Sequence, residues 1–344
     1  TEEDEMRAIQ IEEYGGTNVL KQRDVAVPVP GKDEVLVKLA YAGINFMDVY
    51  TRLGNYARSG HYQATLPLTL GMEGAGRIKA CGPGVIGFKP GDRVAYCLAN
   101  GSYADYAIVP AWKIVKVPDG LSLKLAAASL FQGLTAHYLV HDVANLKSGD
   151  SCLVHAGAGG IGQIVIQLVS RQGVHVIATA SSPEKADIAR QCGAERVCAY
   201  DPESVTSAVK AMTAGRGVDV VFDSVGAATF QISMHALKKA GLLIAYGANS
   251  GPFSSIDPME LANNGSLFFT RPRLADYVPD AASIRRRADN IFAGLMDGRL
   301  NVHIDKVFDF EAVAAAHGEL EERRSIGKSV LCINAGEDCG FGDD

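Results

Sequence analysis

No two cysteines of this chain stand as C-x-x-C, and the seven present (Cys81, Cys97, Cys152, Cys192, Cys198, Cys332 and Cys339) are odd in number and scattered. That leaves no disulfide framework to read, and reduced thiols in a cytoplasmic protein are the simplest account. Cys152 sits in an apolar strand pattern and reads as a small core residue. No apolar run is long enough to span a bilayer. The first residues are acidic and carry no apolar h-region, so no secretory signal is expected. A basic stripe is also missing: 33 Lys and Arg against 39 Asp and Glu leave a net charge of −6. That balance argues against a nucleic-acid partner, which normally needs a basic face. There is no internal repeat and no low-complexity linker. The acidic ends, Glu2, Glu3, Asp4 and Glu5, then Glu337, Asp338, Asp343 and Asp344, are expected to be solvated and mobile.

What remains is ordinary globular composition. The 344 residues are 47% hydrophobic and 21% charged, enough for about two domains with full cores. The most informative stretch is HAGAGGIG at 155–162. It follows an apolar run at 152–154 that reads as a buried strand, and it precedes IVIQLV at 164–169, which reads as a helix on a sheet. Gly157, Gly159 and Gly162 fit G-x-G-x-x-G. Gly157 would allow the tight turn, Gly159 would let a pyrophosphate touch backbone, and Gly162 would let helix and strand pack closely. The helix start then offers free N–H groups to phosphates.

From Ser151 onward strand and helix alternate. Strands are expected at 152–155, 175–180, 196–200, 218–223, 242–246 and 267–270. Helices are expected at 161–172, 183–191, 203–213, 229–239 and 258–263. Ser182 before Pro183, and Asp257 before Pro258, are helix-start signals. This is the pattern of a doubly wound parallel α/β sheet with ligand at the carboxyl ends of its strands. The first 125 or so residues differ. Short apolar segments at 8–11, 35–41, 76–79, 93–97, 106–108 and 114–116 recur between Gly and Pro turns, as in an antiparallel, barrel-like β domain. The end of the chain returns to that style, with a helix at 281–296, a strand at 302–308, a helix at 310–322 and a strand at 329–333. The expected organisation is a catalytic domain of 1–130 plus 274–344 with a nucleotide-binding domain, 131–273, inserted in it.

A nucleotide site that prefers NAD places Asp or Glu about 20 residues past the glycines. Here the second strand ends in Thr179, Ala180, Ser181 and Ser182, with no carboxylate. Ser181 can donate to a phosphate and Lys185 follows in the next helix, which favours the 2′-phosphate of NADPH. Glu184 weakens that case a little, and Lys185 as an ordinary exposed lysine is the alternative.

Taken together, GINFMDVY at 43–50, GMEGAG at 71–76, GDRV at 91–94, GLTA at 133–136, GAGGIG at 157–162, DSVG at 223–226, TRP at 270–272 and GKSVL at 327–331 resemble the quinone oxidoreductase (zeta-crystallin-like), zinc-independent branch of the medium-chain dehydrogenase/reductase superfamily. The resemblance runs from about Met6 to Ile333. It implies a Rossmann sheet inserted in a GroES-like catalytic domain, and it implies roles. Asn45 and Tyr50 would border the nicotinamide, with Thr135 near its ribose. Gly159, Gly160 and Ile161 would hold the pyrophosphate. Ser181, Lys185 and Tyr200 would surround the 2′-phosphate. Ser224, Tyr246, Gly247 and Asn249 would line the strand ends, and Phe269, Thr270 and Arg323 would close the site. Independently, 223–224 and 246–247 both end strands of the parallel pattern, where ligands collect. The plainer options are a strand-end Tyr246 with its hydroxyl in water, and Tyr50 and Tyr56 packed in the β domain.

Zinc members of the superfamily use a cysteine in the first motif and a His-Glu pair in the second. Here the first offers Asn45, and Met72 precedes Glu73. One carboxylate does not make a zinc site, which needs about three protein ligands, and His61 is too isolated to complete it. Without a Lewis acid the expected substrate is one that accepts hydride readily, a quinone or an alkene conjugated to a carbonyl. Asn45 or a tyrosine hydroxyl would bond the developing oxyanion, and the proton would come from Tyr50, Tyr56 or water. Arg58 and His61, in the segment 54–62, would either bind an anionic substrate or be ordinary loop residues, the latter favoured. Three functions stay open: quinone reductase, reductase of α,β-unsaturated carbonyls, and an NADPH-binding crystallin-like structural protein. The last strand, Leu267–Thr270, with Phe268 and Phe269, would lie at a sheet edge and favour a homodimer.

Overall fold

The computed structural model describes residues 5–57, 65–251 and 255–338. In chain order, β1 (Glu5–Ile11), β2 (Lys21–Ala26), β3 (Glu34–Gly43), helix α1 (Phe46–Arg52), β4 (Leu68–Thr69), β5 (Glu73–Cys81), β6 (Arg93–Cys97), β7 (Tyr106–Pro110) and β8 (Ile114–Lys116) come first. Helix α2 (Leu123–Tyr138) follows. Then come β9 (Ser151–Val154), α3 (Gly160–Arg171), β10 (His175–Thr179), α4 (Pro183–Cys192), β11 (Arg196–Cys198), α5 (Pro202–Thr213), β12 (Val218–Asp223), α6 (Phe230–Ala236), β13 (Leu237–Ala245), α7 (Pro258–Asn263), β14 (Phe268–Thr270) and α8 (Leu274–Tyr277). The described part ends with α9 (Ala281–Met296), β15 (Ile304–Asp309), α10 (Val313–Glu321), β16 (Lys328–Cys332) and a short turn of helix at Ala335–Asp338.

Two units emerge: Thr1–Phe131 with Val278–Asp344, and Gln132–Tyr277. In the first, β3 is the organising strand. It pairs antiparallel with β5, β7 and β16, inside a seven-stranded sheet ordered β15-β16-β3-β5-β6-β8. A second sheet, β2-β1-β4, is tied in by a bridge between Ala8 and Ala104. The C-terminal β16 therefore completes a sheet begun by the N-terminal strands. Val35, Val37, Leu39, Tyr96, Tyr103, Phe310 and Leu331 meet in one core. Each of the aliphatic and Phe side chains among them contributes about 1.5–3 kcal/mol on burial.

The second unit is a six-stranded parallel sheet, ordered β11-β10-β9-β12-β13-β14. The order reverses between β9 and β12, the switch point at which doubly wound sheets bind ligands. All six residues of β12 are buried, as befits a parallel strand covered on both faces. Leu153, Ile177, Val221, Phe230, Met234 and Leu243 form this core.

Several expectations need correction. The helix expected over 229–239 stops at Ala236, and a strand begins at Leu237. Leu237 is extended, with ψ 145°, which no right-handed helix allows; Ala240 follows at φ 55°, where the register of β13 slips before resuming at Leu242 opposite Val220. Helices α1 and α2 and strand β2 were not anticipated. The acidic C-terminal segment is not wholly loose. Glu337 pairs with Lys38 at 2.6 Å, and Asp338 accepts from the Leu123 and Lys124 N–H groups at 2.9 and 3.3 Å, capping α2. Among the described residues all six cysteines are free, and no helix is long and apolar enough to cross a membrane. Arg58, His61 and Tyr62 lie outside the described residues.

Candidate functional site

The second unit builds its site at the carboxyl ends of its strands. After β9 the chain turns through Ala156, at φ 54°, into the glycine loop. The left-handed residue of the turn is thus Ala156 and not Gly157. Gly157 is required for space: a Cβ there would lie 2.8 Å from Ala178 Cβ and 3.1 Å from Ile166 Cδ1. Gly162 is tighter, since its Cβ would meet the Ala156 carbonyl oxygen at 2.4 Å. Gly160 lies under Gln132, whose Oε1 would be 2.0 Å from an added Cβ. Gly159 differs, because only the Ala156 oxygen at 3.2 Å is near, so its outer face is open. Gly159 is also the N-cap of α3 and offers no side-chain cap. By position, the N–H groups of Gly160, Ile161 and Gly162 have no partner within the helix. An open face, a free helix start and close backbone suit a pyrophosphate.

Around this loop stand residues from the neighbouring strand ends. His155 is buried and donates to, or accepts from, Thr179 Oγ1 at 3.0 Å through Nδ1, and burial lowers its pKa. Its ring lies parallel to that of Tyr200, centroids 6.1 Å apart. Ser181 is exposed and Lys185 half-buried. Ser182 is the cap of α4, accepting from the Lys185 N–H at 3.2 Å. On the other side of the switch point, Asp223 is held by the N–H groups of Val225 and Gly226 and by the hydroxyls of Thr229 and Ser233, at 2.7–3.1 Å. That network fixes the turn carrying Ser224. Tyr246 N–H donates to the Asp223 carbonyl at 2.9 Å, and Asn249 N–H to the Ser224 carbonyl at 3.2 Å. A Cβ on Gly247 would meet the Ser224 oxygen at 2.4 Å. Ser224, Tyr246, Gly247 and Asn249 are thereby brought together. The Tyr246 hydroxyl is buried rather than in water, and burial raises its pKa. Thr270 pairs with Ile244, and the Phe269 ring packs edge-on against Phe230 at 6.1 Å, in the core. Thr135 is buried on α2.

The first unit builds a second set around α1. Asn45 precedes that helix, and its N–H donates to Asp48 Oδ2 at 2.8 Å, half of a capping box. Tyr50 lies between Phe46 and Tyr56, at 6.1 Å from each ring, edge-on to Tyr56. The Asn45 side chain is engaged with two charged groups: Lys328 Nζ donates to Oδ1 at 2.6 Å, and Nδ2 donates to Glu73 Oε2 at 3.0 Å. Lys328 also bonds Glu73 at 2.8 Å, and the Phe131 N–H donates to Glu73 Oε1 at 2.6 Å. Arg323 follows α10 in the left-handed region, φ 57°, and is exposed. Lys328 did not emerge as a site residue from the sequence. Its only signal there is a lysine opening an apolar strand, in a motif already noted.

Residues 31–119 match the alcohol dehydrogenase GroES-like domain, and residues 160–278 match the zinc-binding dehydrogenase family. The chain is 39% identical to a quinone oxidoreductase of Pseudomonas aeruginosa, over 94% of this chain and 99% of that protein. The chain belongs to the quinone oxidoreductase family. Within the medium-chain dehydrogenase/reductase superfamily, this member is also 36% identical to a 2-haloacrylate reductase of a Burkholderia species, over 95% of this chain and 99% of that protein. A mycobacterial structure complexed with NADPH superposes with a TM-score of 0.90 at 39% identity, covering 95% and 99% of the two chains.

The zinc that the family description names does not fit this chain. Met72 is a buried thioether where a histidine ligand would be needed, and Glu73 is already bound to an ammonium. Among the described residues no three His, Cys, Asp or Glu side chains gather to hold a metal.

Proposed function

We propose that this protein transfers hydride from NADPH to a quinone without a metal. The observation that carries the reading is the glycine loop, whose one open position, Gly159, caps a helix start at the sheet's switch point. NADPH, when bound, supplies the hydride. The chain's own residues bind and orient. Gly159, Gly160, Ile161 and Gly162 hold the pyrophosphate, with Gly157 making room behind them. Ser181, Lys185 and Tyr200 take the 2′-phosphate. Thr135 takes the nicotinamide ribose. Ser224, Tyr246, Gly247 and Asn249 support the cofactor from the strand ends, with Thr270 on the neighbouring strand and Phe269 packed behind it; Arg323 is a further candidate contact. Asn45, Tyr50 and Tyr56 serve the reacting end: Asn45 bonds the oxygen that gains charge, and a tyrosine or water returns the proton.

A second reading is reduction of an alkene conjugated to a carbonyl. It is favoured by the 2-haloacrylate reductase, nearly as similar to this chain as the quinone relative. Parallel assays of NADPH oxidation with 1,4-benzoquinone, 9,10-phenanthrenequinone and a simple enone, with NADH as control, test both. Quinone turnover with NADPH and little with NADH supports the first reading. Turnover of the enone alone moves the protein to the second. Tight NADPH binding with no turnover overturns both in favour of a binding role. We also propose a homodimer through the outer strand β14, where Phe268 is 63% exposed at the end of the sheet order.

A further inference from the structure

Three segments remote in sequence bring an ammonium, a carboxylate and an amide into one solvent-free group. Lys328 opens β16, Glu73 opens β5 and Asn45 precedes α1. Lys328 is 1% exposed, Glu73 0% and Asn45 4%. An ammonium only donates and a carboxylate only accepts, so these partners fix which end of the Asn45 amide is oxygen and which is nitrogen. A buried ion pair adds little net stability, because desolvation offsets attraction. What it adds here is orientation. Of the two N–H groups on Asn45 Nδ2, one is taken by Glu73 at 3.0 Å. Among the described residues the other has only the Gly43 carbonyl, at 3.5 Å, the outer limit of a hydrogen bond.

We propose that Lys328 is a positioning residue for hydride transfer, holding and polarising the Asn45 amide so that its second N–H donates to the substrate oxygen that gains charge. This rests on the reading that the substrate is a quinone or conjugated carbonyl. The charge-assisted bond to Oδ1 draws electron density from the amide nitrogen and makes its N–H a stronger donor. The ammonium thus does, through an amide, what a metal does directly in zinc members of the superfamily. It also occupies the carboxylate such a metal would need.

The test is a double-mutant cycle on the full chain. Lys328→Met alone leaves Glu73 buried and unpaired and is liable to unfold. The neutral pair Glu73→Gln with Lys328→Met removes both charges together and keeps the volume. The neutral pair is expected to hold Tm and the NADPH Kd near wild type while kcat for phenanthrenequinone falls about tenfold or more. In an Asn45→Ala background the same pair is expected to cost nothing further. A kcat within about twofold of wild type overturns the proposal, as does an equal loss in the Asn45→Ala background. Hydrogen exchange of the Asn45 side-chain amide, read by NMR, is independent of turnover. Protection in wild type and exchange about tenfold faster in the neutral pair is expected; equal exchange overturns the proposal. Absence of any quinone or enone turnover in wild type defeats the proposed function, and the exchange measurement then decides whether Lys328 holds Asn45.

Discussion

The Tyr103 hydroxyl donates to Asp48 Oδ2 at 3.1 Å and receives His317 Nε2 at 3.1 Å. Arg52 donates to His317 Nδ1 at 3.2 Å, and a guanidinium cannot accept, so the neutral imidazole carries its proton on Nε2. The direction of the whole chain follows: Arg52 to His317 to Tyr103 to Asp48. Asp48 is fully buried, with Lys328 and Glu73 as its charged neighbours. Burial pushes its carboxyl up to about 7, against the pull of the Asn45 N–H and of Lys328.

That shift gives the first prediction. A carboxyl with its folded pKa raised binds a proton that the unfolded chain has released, so its contribution to stability is lost as pH rises from about 4 to about 7. His317 acts oppositely. Burial, then Arg52, lowers its pKa to about 3, so its contribution is lost as pH falls below the usual histidine range. The two offset each other at mildly acidic pH. Asp48→Asn is expected to unmask the histidine: between pH 5 and 7 the variant gains stability relative to wild type by about 2 kcal/mol. Urea melts at the two pH values check it, and parallel pH profiles for the two proteins would refute the assignment.

The glycines of the loop separate by what surrounds them. Gly159→Ala is expected to fold with Tm little changed, since the new methyl meets only the Ala156 oxygen at 3.2 Å, and to weaken NADPH binding about tenfold or more, since its outer face is where the proposed pyrophosphate would lie. Gly162→Ala places its methyl against a backbone oxygen at 2.4 Å that cannot move aside, so Tm itself is expected to fall. Calorimetry and fluorescence titration distinguish the two outcomes.

Lys185→Ala is expected to raise the KM for NADPH about tenfold and to leave that for NADH unchanged. Added salt should narrow the wild-type preference. Equal effects on both cofactors would show that Lys185 is an ordinary helix residue.

Much of the fold was legible because its signals are local. The alternating βα pattern, the proline-marked helix starts at Ser182 and Asp257, and the glycine loop each need only a short window. The strand 218–223 and the helices at 258–263 and 281–296 have their expected limits. What was not legible depends on tertiary context. α1 begins where Asp48 caps Asn45 in a largely buried segment that shows no amphipathic stripe. The early end of α6 lies where Leu237 turns extended to pair with Val218 of β12, a contact no short window reveals. Glu337 and Asp338 read as tail charges until their partners, Lys38 and the start of α2, are brought beside them.

Phe268→Lys is expected to convert the proposed dimer to a monomer, because a charge on an outer strand opposes edge pairing. Light scattering at micromolar concentration checks it; a monomeric wild type would refute the dimer.

The bond from Lys328 to Asn45 joins residues 283 positions apart. During synthesis from the N-terminus, Glu73 and Asn45 therefore emerge long before the cation that neutralises and orders them. The sheet around β3 also waits for its late partner β16. The nucleotide unit has no such debt, since each of its strands pairs within its own segment. Non-local closure is slow relative to local pairing. Topology thus separates the two: the parallel sheet closes within its own segment, whereas the Asn45 side chain meets its cation only when the last strand is in place.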